Sequence, residues 1–274
     1  MKKIFISLCV LGLISTSVYA ASYNPADRVS AVGKVLLEKN GLPADTSFQV
    51  IESVADNSNA ITSNTIFVSN SNLAYAGNDN EVAAVVSNEI GHVINGKTSK
   101  SKIRELAKAA ITSKLSSENI ISTAANSTYL ANKTSLNDNM DADITGADLM
   151  INAGYNPLAM VVVITKMPAS TMETLQGKPA NTERAMNIFD YLTYNYPTKV
   201  SAGYGCQEYR NFLAYANPIV QERNANEKKL AKFNKEQAKN KTKRAKDIAT
   251  YKATGASGWD TSYALIKSFT ETKE

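Results

Sequence analysis

Residues 79–95 constrain the fold more than any other stretch of this chain. Val82, Val85, Val86, Ile90, Val93 and Ile94 recur at steps of 3, 1, 4, 3 and 1, which is helical spacing with a wide apolar stripe. Such a stripe is expected to be buried. Asp79 or Asn80 stands where an N-cap is needed, and Glu81 complements the positive end of the helix dipole. Glu89 and His92 fall within the same apolar segment, where ionisable side chains need a reason to be.

The remaining periodicities supply the covering elements. Val29, Val32, Val35, Leu36 and Leu37 mark a helix over 24–40 that Gly41 stops. Residues 47–54 alternate as a half-buried strand, turn residues follow at 56–59, and 66–68 is a second short strand. Residues 101–131 are compatible with helix. A further amphipathic helix is expected over 138–153, ended by Gly154 and Pro157, then helices over 158–166 and 182–194, the last ended near Pro197. A Lys-rich helical stretch is expected from about 217 to 252. The pattern is α+β and mainly helical, with a small sheet.

The first twenty residues read as an export signal. Lys2 and Lys3 are followed by an apolar run over 4–14, and Val18 and Ala20 sit at the −3 and −1 positions before Ala21. Removing residues 1–20 takes Cys9 away and leaves Cys206 as the only cysteine, so the exported chain has no internal disulfide and Cys206 reads as a buried small side chain. The formal net charge falls from +5 to about +3 with the loss of Lys2 and Lys3, too mild to argue for nucleic acid. The expected location is the periplasm or the extracellular space.

Asn88-Glu89-Ile90-Gly91-His92 stands where a zinc-binding HExxH would stand, with Asn88 in place of the first histidine. In HExxH, histidines at i and i+4 share one helix face and bind a zinc ion, and the Glu beside the first polarises its water. By itself ExxH is a weak signal. Its flanks are specific. The run from Asn59 through Ile66-Phe67-Val68 and Leu73 to Val93, the segment Asn139-Met140-Asp141-Ala142-Asp143 with Gly146 and Ala153-Gly154-Tyr155-Asn156-Pro157, and Lys178-Pro179 followed by Thr182-Glu183-Arg184 occur in one order. Over roughly 45–200 the chain resembles the HtpX and CAAX-prenyl endopeptidase family of metallopeptidases.

The resemblance implies a zincin-like domain over 21–200, with zinc ligands at positions 88, 92 and 139. Only His92, the single histidine of the chain, is a good ligand there; Asn88 and Asn139 replace the other two. It also implies that Glu89 is the general base and Asp143 an acid behind the ligands, and that Lys178 replaces a nearby histidine. Asp138 and Asp141 flank position 139 but lie about 100° and 200° around the helix from it. A catalytic zinc needs about three protein ligands. Zinc, the cofactor of the family, is therefore doubtful here. The expected function is that of an exported pseudopeptidase in envelope protein binding or quality control, with unfolded or extended polypeptide as partner. An active zinc metalloendopeptidase with a remodelled site is the alternative, and a basic envelope scaffold or adhesion protein a third.

Residues 201–274 form a basic helical extension. Lys228, Lys232, Lys235, Lys239, Lys243 and Lys246 follow steps of 4, 3, 4, 4 and 3 on one face. Such a row is ordinarily a solvated face; contact with an anionic envelope surface is the functional reading. Trp259, Tyr263, Leu265, Ile266 and Phe269 are expected to fold back on the core.

Overall fold

A computed structural model describes residues 23–51, 65–95, 136–168 and 181–253. The expected export signal, the expected turn at 56–59, the helix expected over 101–131, Lys178 and the residues from Trp259 to Phe269 lie outside these residues.

Helix α1 (Pro25–Asn40) has its boundaries written in the sequence. Asn24 accepts the Ala26 N–H at 3.2 Å, and Pro25 occupies the first turn. Gly41, at φ 60°, closes the helix by donating to the Glu38 carbonyl at 3.1 Å. Strands β1 (Ser47–Ile51) and β2 (Thr65–Ser69) pair in parallel, with Phe48 opposite Ile66 and Val50 opposite Val68. A short helix, α2 (Asn70–Leu73), continues directly from β2.

Helix α3 (Asp79–Asn95) packs against α1, β2 and the two helices that follow it. Val82, Ala83, Ala84, Val86 and Ile90 are all buried, as its periodicity leads one to expect. Its cap is Asn78, one residue before the expected positions. Asn78 Oδ1 accepts the Glu81 N–H at 3.1 Å, and Glu81 Oε2 reaches back to the Gly77 N–H at 2.8 Å. Asp79 instead takes the fork of Arg28, at 2.9 and 2.8 Å, and Asn80 Oδ1 accepts the Asn156 N–H at 2.8 Å.

Helix α4 (Leu136–Ala153) lies along α3. Helix α5 (Leu158–Lys166) is buried from Leu158 to Ile164, in keeping with its almost wholly apolar sequence. Helices α6 (Thr182–Asn195) and α7 (Pro197–Val200) follow. Val29 and Leu36 from α1, Val86 and Ile90 from α3, Leu149 from α4, Val162 from α5 and Ile188 from α6 share one core.

The single helix expected over 217–252 is two. Helix α8 (Gln207–Asn224) buries Tyr209, Phe212 and Ala216 in the common core, and α9 (Glu227–Ala253) starts afresh. The break is a capping event: Asn226 Oδ1 accepts the Lys229 N–H at 3.0 Å. Cys206 is half-buried rather than buried, and its Sγ caps α8 by accepting the Tyr209 N–H at 3.4 Å. Among the described residues no helix is long and apolar enough to cross a membrane.

Candidate functional site

Two glycines set the distance between α3 and α4. A Cβ on Gly91 would stand 2.5 Å from the Ala142 carbonyl oxygen, and one on Gly146 would stand 2.9 Å from the Ser87 carbonyl. Backbone therefore touches backbone at the crossing, and short side chains beside it can reach across.

Asn88 does so. Its Nδ2 donates to Asp143 Oδ1 at 2.7 Å, joining the middle of α3 to the middle of α4. Asp143 is fully buried, and Arg184 from α6 grips it from the other side. Arg184 Nε donates to Oδ2 and Nη2 to Oδ1, both at 2.9 Å, in a two-pronged fork. Three donors from two helices thus hold one carboxylate. Burial works against the Arg184 charge, but Asp143 and Glu89 more than offset it and raise its pKa.

Glu89 is buried beside this cluster, 5% exposed. Burial pushes its carboxyl up to about 8, against the pull of Arg184. His92, one turn further along α3, is 3% exposed.

A cavity of about 260 Å³ opens over these residues. Asn88, Glu89, Asn139, Asp143, Arg184 and Asn72 form its polar wall. Val85, Met160, Val163, Ile164 and Met167 form most of the apolar one. The residues singled out at positions 88, 89, 139 and 143 are thus brought to one place. His92 is not part of the cavity wall. The pairing of Arg184 with Asp143 and the place of Asn72 in the wall are not legible in the sequence. Arg184 was visible only as part of a motif, and 41 residues separate it from its partner.

Asp141, two residues beyond Asn139, belongs to a different cluster. Lys243 reaches its Oδ2 at 3.1 Å and Arg244 its Oδ1 at 3.4 Å, both from α9. Among the described residues no group of three or more His, Cys, Asp or Glu is arranged to hold a metal ion.

Glu89 and His92 thus lie on one helix, closely crossed by a second helix that carries Asp143. The chain belongs to peptidase family M48, whose model matches residues 24–192. The match runs from the start of α1 into α6 and leaves α8 and α9 beyond it. This family is zinc-dependent. No curated protein and no solved structure matches the chain.

Proposed function

We propose that this chain is a catalytically impaired relative of the M48 peptidases, exported to the cell envelope, which uses its cavity to bind polypeptide. The hydrogen bond from Asn88 Nδ2 to Asp143 Oδ1 carries this reading. It turns the amide of a ligand position toward a carboxylate that Arg184 already neutralises.

The residues at the site do not fit a catalytic zinc ion. Such an ion takes about three protein ligands and leaves one position open. Asn88 and Asn139 are neutral amides, which compete poorly with imidazole or carboxylate for zinc. His92 is the only histidine in the chain. Asp141 is held by Lys243 and Arg244 and does not take the place of Asn139.

Polypeptide binding needs none of this chemistry. An extended segment that adds to a strand edge gains main-chain hydrogen bonds without a metal. The mixed polar and apolar cavity walls suit a polypeptide, and the small-residue processing site ahead of Ala21 supports export. A role in protein quality control in the periplasm or outside the cell follows.

The test is degradation of unfolded casein by the purified chain, with Glu89→Gln as the control. The expected result is no cleavage above that control. Cleavage that both a chelator and Glu89→Gln abolish would establish the active metalloendopeptidase instead.

A further inference from the structure

Helix α9 lies beyond the part of the chain that matches the peptidase family, and it is not a free tail. Arg244 is buried to 2% exposure and donates to Thr145 Oγ1 at 3.3 Å and to the Asp141 carbonyl at 3.2 Å. Gln237 is buried, and the Phe233 ring meets Tyr194 edge to face at 5.8 Å. These contacts fix which face of α9 looks inward.

They also sort its cations. Arg223, at the end of α8, bonds Asp190 at 2.7 Å and lies over the Phe233 ring, and Arg244 lies on α3 and α4. Both arginines are thus used within the protein. Lys228, Lys232, Lys235, Lys239, Lys243 and Lys246 are all exposed, on the opposite face. Of these six, Lys232, at 3.8 Å from Glu236, and Lys243, at 3.1 Å from Asp141, have an acid of the described residues within ion-pair reach. Lys228, Lys235, Lys239 and Lys246 pair with no acid of the described residues, and steps of 7, 4 and 7 bring them into one line.

That line is a straight row about 27 Å long, at 1.5 Å per residue. Like charges at i,i+3 and i,i+4 destabilise a helix, so the row works against the element that carries it. Lysines are hydrated point charges on flexible stems, suited to a diffuse field, whereas arginines suit fixed bidentate contacts. The row has no aromatic side chain on which a base would stack and no large apolar one that would insert into a bilayer.

We propose that the outer face of α9 is a docking surface for a membrane rich in anionic lipid, on which it adsorbs by charge without inserting. A flat bilayer can meet the whole row at once. Each lysine near such a surface contributes about fivefold in binding. This proposal is independent of the state of the peptidase site.

The experiment is sedimentation of the chain beginning at Ala21 with phosphatidylcholine vesicles, with and without phosphatidylglycerol. The expected result is binding only when phosphatidylglycerol is present, lost at high salt. Changing Lys228, Lys235, Lys239 and Lys246 together to Gln should lower the affinity at least a hundredfold. The same four changed to Arg should retain binding, which separates charge from damage to the helix. Equal binding to neutral vesicles would overturn the proposal, as would Gln variants that bind undiminished. So would duplex DNA or soluble polyphosphate that binds as tightly as the vesicles, since either would make a different polyanion the partner.

Discussion

Asp143 is fully buried, and its carboxylate is held by Asn88 from one side and by both prongs of Arg184 from the other. Removing one member of a buried ion pair leaves an uncompensated charge, which costs about 3–5 kcal/mol. Arg184→Leu should therefore lower the stability to chemical denaturant by that amount, while Arg184→Leu combined with Asp143→Leu recovers most of the loss. A second buried acid gives a pH signature. Asp148 accepts hydrogen bonds from Tyr191 and from Tyr196, the latter at 2.8 Å, yet burial still pushes its pKa up to about 6 against them and against Arg244 and Lys241. A raised acid stabilises the fold fully below its unfolded pKa of about 3.9, and this contribution fades as pH rises through about 6. The full difference is about 3 kcal/mol. In Asp148→Asn the denaturation midpoint should change less between those pH values than in the parent. The sequence pointed to Asn88, Asp143 and Arg184 separately, through a family pattern. Their bonding was hidden because the partners stand 55 and 41 residues apart, and no local rule links them.

Elements were legible where a single rule governs them. The apolar period of α3 and the stop at Gly41 are local facts, and so is the unbroken apolar run of α5. The cap of α3 was legible too, since Asn78 and Glu81 have capping-box spacing, but two nearer candidates hid it. The break before α9 is hidden in the sequence because Asn226, which caps α9, stands inside a polar stretch with no Gly or Pro near it to mark a stop. The closeness of α3 and α4 is a property of the pair and needed the structure. Gly91→Ala tests it. The added Cβ would meet the Ala142 carbonyl oxygen at 2.5 Å, a rigid backbone atom, so the helices must part. Overpacking of this kind costs about 1–3 kcal/mol. The Asn88 to Asp143 bond should lengthen with it, which amide chemical shifts of Asn88 would report.

At the scale of the molecule, a peptidase-family body carries a basic helix fastened by one buried arginine. Arg244 touches Asn95 on α3, Thr145 on α4 and the Asp141 carboxylate, so α9 is tied to two of the helices that build the cavity. Arg244→Ala should destabilise the whole body by about 3–5 kcal/mol, in one cooperative transition rather than by loosening of α9 alone. Hydrogen exchange of α9 amides together with those of α3 would check this. The central claim concerns the cavity beneath. On the proposed reading, two of the three ligand positions are the amides Asn88 and Asn139, and Asn88 is bonded to a carboxylate that Arg184 also holds. The direct measurement is the zinc content of the purified chain after dialysis against a weak chelator, beside that of Asn88→His combined with Asn139→Glu. The account predicts far less than one zinc per chain in the unmodified protein and a clear rise in the double variant. One zinc per chain in the unmodified protein would contradict it.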